Sequence, residues 1–227
     1  MDFNETKQTY RDTIEQSIAF AGKGLDFFTS VKADYLHRIV QAELPGLDKP
    51  RLLDVGCGHG YIHPDLRRFG FDIVGVEVAT EVLPFAREAN PDVTYLGYDG
   101  TTLPFEDDSF DVAMAICVMH HVPPEQWPNF SREMHRVLRP GGIVAIFEHN
   151  PINPLTRYVV SRNEIDDDAV LLSTSTLRGL LKDAGFQQVA TRNILFTPFA
   201  SPFFRAVDRQ LGWCPFGAQY YAVGKVV

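Results

Sequence analysis

Residues 52–60 read Leu-Leu-Asp-Val-Gly-Cys-Gly-His-Gly. An apolar run, an acid and three glycines alternating with other residues describe a strand that breaks into a tight turn and opens a helix. Glycine is required where the backbone takes positive φ, or where a ligand comes too close for a Cβ. In a doubly wound α/β sheet the turn after the first strand lies in the crevice where nucleotide-like ligands bind. This segment therefore constrains both the architecture and the place of a site.

The rest of the chain agrees with an α/β reading. Strand-like runs near 51–55, 72–77, 93–96, 111–118 and 142–148 alternate with helix-like segments near 61–68, 81–88, 125–138 and 174–184. That alternation is the pattern of a mainly parallel sheet covered by helices. Gly185 is placed to stop the last helix. Segments 187–196 and 218–226 read as two further strands, a closing antiparallel pair with an aromatic-rich insertion, 196–217, between them. Residues 1–48 read as an N-terminal helical cover, with near-helical apolar spacing from Phe27 to Leu44. Segments 149–173 and 196–217 read as loops. The whole, 1–227, is expected to form a single domain.

Composition excludes several classes. A net charge of −8 with scattered Lys and Arg disfavours a nucleic-acid binder, whose affinity rests largely on phosphate neutralisation. No run is apolar for long enough to span a bilayer, and the first residues lack the features of a secretion signal. The three cysteines form no CxxC pair, so neither zinc knuckle nor disulfide framework is indicated, and a cytoplasmic location is expected. No metal-ligand spacing stands out, and none is expected.

The glycines have GxGxG spacing, Gly56, Gly58 and Gly60, whereas dinucleotide sites usually show GxGxxG. At the end of the second strand Glu77 precedes Val78, and a carboxylate there can accept both hydroxyls of a ribose. After the third strand comes Asp99-Gly100, where the acid can face an adenine amino group. Asp54, Glu77 and Asp99, at the ends of three successive strands, suit a ligand with an adenosine and a positive charge rather than a pyrophosphate. Each feature alone has a plainer explanation, since glycines form turns and acids cap helices.

Together, Leu52–Gly60, Glu77, Asp99, the stretch Leu103–Asp111 and Arg139-Pro-Gly-Gly142 resemble class I S-adenosylmethionine-dependent methyltransferases, nearest to the small-molecule type 11 branch. The resemblance covers roughly residues 50–190. It implies a Rossmann-like, seven-stranded, mostly parallel sheet of order 3-2-1-4-5-7-6, its last strand antiparallel, with helices on both faces. It also implies S-adenosylmethionine as cofactor. Asp54, Gly56, Cys57, Gly58, His59 and Gly60 would lie under its methionine and ribose, Glu77 and Val78 at the ribose, Asp99 and Gly100 at the adenine, and Cys117 beside them. An NAD(P)-binding oxidoreductase fits the same residues less well, because the spacing is short by one residue and a Pro-Gly-Gly turn is present.

Methyl transfer needs an acceptor atom held close to the methyl carbon, water excluded and often a proton removed. After the fourth strand come His120 and His121, whose rings titrate near neutrality and suit acid/base work. Capping or packing of the following turn explains them equally well. After the fifth strand come Glu148, His149 and Asn150, polar groups that must bond either a substrate or the loop backbone. His121 is the expected base or orienting group for an O- or N-methylation of a small, apolar or lipid-linked acceptor. The segment from Tyr10 to Phe28, with Phe20 and Lys23, and the aromatics Phe196 to Phe216 are candidates to cover that acceptor. The latter serve equally as a membrane-surface patch, a dimer contact or padding, so monomer and homodimer both remain open. A catalytically silent S-adenosylmethionine-binding module supporting a partner protein is the alternative of a different class.

Overall fold

The structure, a computed structural model, describes residues 24–163, 166–199 and 201–227. Its strands are β1 (Arg51–Val55), β2 (Asp72–Glu77), β3 (Thr94–Gly97), β4 (Phe110–Ile116), β5 (Leu138–His149), β6 (Gln187–Ile194) and β7 (Gln219–Lys225). They form one sheet of order β3-β2-β1-β4-β5-β7-β6. β7 runs antiparallel to both its neighbours, and the β1, β2, β3, β4 and β5 pairings are parallel. The expected order and the reversed last strand are both present.

The helices are α1 (Leu25–Glu43), α2 (His63–Arg68), α3 (Leu83–Ala89), α4 (Trp127–Arg136), α5 (Pro154–Val160), α6 (Thr174–Asp183) and α7 (Pro202–Gln210). Central strands of a parallel sheet are buried on both faces and so read as unbroken apolar runs. β4 shows this, and its side chains alternate between two cores. Val112 and Met114 join Val31, Leu36 and Ile39 of α1 on one face. Ala113 and Ala115 join Phe130 and Met134 of α4, and Leu177 and Leu181 of α6, on the other.

Four expectations change. β4 ends at Ile116 rather than 118, because Cys117 takes φ 55° and turns the chain into a 3-10 turn over Met119–His121. β5 starts at Leu138, so Arg139-Pro-Gly-Gly142 is part of the strand rather than a turn before it. Gly141 N–H donates to Val226 O and Val226 N–H donates back to Gly142 O, and the segment bulges: Phe110 pairs with Leu138 and Val112 with Ile143, with Gly141 at φ 83°. Both presumed loops contain a helix, α5 and α7, each entered through a proline in its first turn after Asn153 or Ser201. A proline there loses no helical hydrogen bond and presets φ, so Pro-rich composition concealed two helix starts. The N-terminal cover is represented by α1; Tyr10, Phe20 and Lys23 lie outside the described residues.

Candidate active site

β1 ends against the glycine turn. The N–H groups of Gly56 and Cys57 both donate to Val76 O, at 2.8 and 3.0 Å, tying the turn to β2. Gly56 has φ 76°, and a Cβ on it would stand 2.6 Å from Cγ2 of Val118. Gly58 also has positive φ, but a Cβ there would meet no atom within 4 Å. The first glycine is demanded by packing, whereas the second leaves open space above the turn, as a cradle for a ligand does. Gly56→Ala is expected to cost about 2–4 kcal/mol, from left-handed backbone plus overpacking. Urea unfolding checks it: adding Val118→Ala recovers the steric part, and a neutral Gly56→Ala would contradict the account.

Asp54 lies beneath the turn, 3% exposed. His63 Nε2 donates to its Oδ2 at 2.9 Å, and His63 Nδ1 accepts from the Tyr95 hydroxyl at 2.5 Å. The sequence reading missed His63, which fixes the orientation of Asp54. Glu77 is knitted into the turn: its carboxylate accepts from the N–H groups of Gly58, Val78 and Ala79 at 2.8, 2.8 and 3.0 Å. Burial pushes its pKa up against those three donors. Asp99 stands exposed on the rim and accepts from the N–H groups of Thr101 and Thr102 at 2.8 Å each. These bonds hold its carboxyl below the usual range.

A cavity of about 280 Å³ opens beside this turn. Asp54, Gly56, Cys57, Gly58 and His59 line one end, and Cys117, His120, His121 and His149 line the other. Gly60, Glu77, Val78, Asp99, Gly100 and Glu148 are outside its lining. His59 is buried, with its ring near-parallel to those of Tyr61 and Phe85 at centroid distances of 5.3 and 6.1 Å. Leu25 and Phe28, from α1, together with Leu155, Val159 and Val160, from α5, make an apolar wall.

The histidine pair is anchored from behind. Glu148, fully buried on β5, accepts from Met119 N–H at 2.8 Å and from His120 Nδ1 at 2.5 Å. Trp127 Nε1 donates to the carbonyls of Met119 and Val122, fixing the same 3-10 turn. Asp166 Oδ1 lies 3.4 Å from His120 Nε2 and 3.5 Å from His121 Nε2. Val170 N–H donates to His120 O, which brings the Asp166 segment onto the pair. Burial alone would lower the pKa of His120, but the Glu148 carboxylate and the neighbouring Asp166 outweigh it and hold it well above its ordinary value. His121 goes the other way, down to about 4, through burial and the charge of His120. Asp166 was missed by sequence reasoning; the Asp166-Asp-Asp168 run was its one signal.

Two further groups were missed. Lys32 of α1, 7% exposed, places Nζ 3.7 Å from Cys117 Sγ, and Gln219 Nε2 lies 3.6 Å from the same sulfur. Burial would raise the thiol, but the Lys32 ammonium and His149 outweigh it and bring it down to about 7. Alkylation of Cys117 by iodoacetamide, followed by peptide mass, is expected to reach half its maximal rate near pH 7. Lys32→Met removes the cation that favours the thiolate and moves that midpoint upward; an unmoved midpoint would contradict the assignment. His149 Nδ1 lies 3.3 Å from Gln219 Nε2. Asn150 is taken up by its surroundings rather than the cavity, donating to the carbonyls of Pro215 and Gly217 and to the side-chain oxygen of Asn193 on β6, and accepting from Ile152 N–H.

The arrangement combines a turn that leaves room for a ligand, buried acids, an imidazole pair and an apolar wall. The methyltransferase-domain family matches residues 53–146. The ubiquinone biosynthesis O-methyltransferase of Cereibacter sphaeroides is 30% identical over 77% of this chain and 74% of its own length. That of Ruegeria pomeroyi is 28% identical over 78% and 79%. Among solved structures, an S-adenosylmethionine-dependent methyltransferase from Thermotoga maritima, described as a possible histamine N-methyltransferase, superimposes with TM-score 0.70 at 21% identity. It covers 99% of this chain and 98% of its own. At that identity the likeness speaks for the fold.

Proposed function

Because the chain belongs to the class I S-adenosylmethionine-dependent methyltransferases, in a family that acts on small molecules, we propose that it methylates an oxygen of a small acceptor with a substantial apolar part. The observation that carries this reading is the single cavity joining the glycine turn, the histidine pair and the apolar wall of α1 and α5. Bound in the turn, S-adenosylmethionine supplies an electrophilic methyl carbon on a sulfonium. Everything else is the work of the chain's own residues.

Gly56–His59 and Asp54 hold the methionine end in this reading, with Glu77 and Val78 toward the ribose and Asp99 and Gly100 toward the adenine. Glu77 already accepts three N–H bonds, and a carboxylate's four lone-pair sites leave it capacity for one hydroxyl more. Phe28, Leu155 and Val160 exclude water and seat the acceptor's apolar part. His121 orients or takes the proton of the acceptor hydroxyl, with Glu148, His120 and Asp166 fixing its position. The named activity of the two ubiquinone-pathway relatives supports oxygen as the acceptor atom. Phe203, Trp213 and Phe216 are 69, 74 and 60% exposed. Asn153 Nδ2 donates to Phe216 O, so the start of α5, whose Leu155 lines the cavity, meets the aromatic segment. No helix among the described residues is long and apolar enough to cross a membrane.

The test is a panel of phenols and primary amines, with and without an alkyl tail, assayed with S-adenosylmethionine. Methylation on oxygen is expected. Each buried methylene contributes about 0.8 kcal/mol, so a fully buried four-carbon tail raises kcat/KM by about 200-fold. Methylation of the amines, or indifference to the tail, would overturn the reading.

A further inference from the structure

His120, His121 and Asp166 offer two imidazole nitrogens and a carboxylate oxygen within 4.8 Å of one another, at the edge of the cavity. Zinc-type cations bind such atoms at about 2.0–2.2 Å, which places neighbouring ligand atoms about 3.0–3.5 Å apart. The observed separations of 3.4 and 3.5 Å from Asp166 Oδ1 to the two Nε2 atoms fall at that spacing. His120 Nε2 is buried and makes no hydrogen bond, although Asp166 lies beside it. Behind the ring, Nδ1 donates to Glu148 at 2.5 Å. A carboxylate on the far nitrogen of an imidazole is the usual support of a metal-bound histidine, because it fixes the tautomer and turns Nε2 outward.

We propose that His120 Nε2, His121 Nε2 and Asp166 Oδ1 form a binding site for one divalent transition cation, with Glu148 as the carboxylate that supports His120. Two nitrogens and one oxygen favour zinc-like or other first-row transition ions over magnesium or calcium, which take oxygen ligands. Three protein ligands leave coordination open toward the cavity, the arrangement of a cation that meets a substrate oxygen. Under the methyltransferase reading, on which this role alone rests, the cation holds the acceptor oxygen and lowers its pKa, and His121 orients the acceptor through the metal.

The experiment is calorimetric titration of the chelator-treated full chain with Zn²⁺, and with Mg²⁺ for comparison. One Zn²⁺ per chain is expected, bound at least about 100-fold more tightly than Mg²⁺. Asp166→Asn and His121→Ala are each expected to weaken Zn²⁺ binding by about 100-fold or more. S-adenosylhomocysteine is titrated into the same samples to show that the variants are folded. Absence of stoichiometric Zn²⁺ binding, or undiminished binding in both variants, would overturn the proposal. Zn²⁺ binding without S-adenosylhomocysteine binding would sustain the cation site and sink the donor reading instead.

Discussion

Glu148→Ala is expected to lower the free energy of unfolding by about 3–5 kcal/mol, the range for removing one partner of a buried ion pair. Glu148 is fully buried on the central strand β5 and receives two donors from one 3-10 turn. Its removal leaves Met119 N–H without an acceptor and the His120 ring without its close counter-charge. Water does not reach either group, so neither loss is repaired by solvation. Glu148→Gln keeps an acceptor for Met119 N–H and is expected to cost roughly half as much. Urea denaturation of both variants checks the order. A loss below about 1 kcal/mol for Glu148→Ala would show that the carboxylate does not anchor the histidine turn.

The second large effect concerns turnover rather than stability. His121→Ala is expected to reduce kcat by about 100-fold or more, the usual contribution of a positioned proton acceptor or orienting group. Its side chain is 16% exposed and lines the cavity, whereas the His120 ring beside it is buried against Glu148. Truncation therefore removes a group facing the acceptor without exposing the core. S-adenosylhomocysteine affinity should stay within about twofold of wild type, because the donor turn lies at the other end of the cavity. Unchanged kcat on the true acceptor would remove His121 from the chemistry. Weakened S-adenosylhomocysteine binding alongside lost turnover would mean that the two ends of the cavity are coupled.

The scaffold was legible because its signals are local. Apolar runs mark β1, β2 and β4, a Gly-rich turn marks the end of β1, and the order of acids at strand ends narrows the ligand before any coordinates. The short helices α5 and α7 were not legible: they lie in Pro-rich stretches that read as loops in composition, whereas α2, α3 and α4, also entered through proline, stand between clear strand signals. The site divides in the same way. Asp54, Gly56, Gly58, Cys117 and His121 follow from their places after predicted strands. Lys32, His63 and Asp166 do not: Lys32 and Asp166 reach the site from segments distant in sequence, and His63, just after the glycine turn, carries no motif. Asp166 lies 45 residues beyond His121, so a search for metal-ligand spacing along the chain passes over the cluster that the fold assembles.

The most direct test of the account uses S-adenosylmethionine with a deuterated methyl group, incubated with the full chain and a metabolite extract from the host. A small molecule heavier by one trideuteromethyl group, formed in equal amount with S-adenosylhomocysteine and lost in His121→Ala, is the predicted result. Tight binding of S-adenosylhomocysteine with no labelled product in any extract would contradict the account, leaving a cofactor-binding module in place of an enzyme.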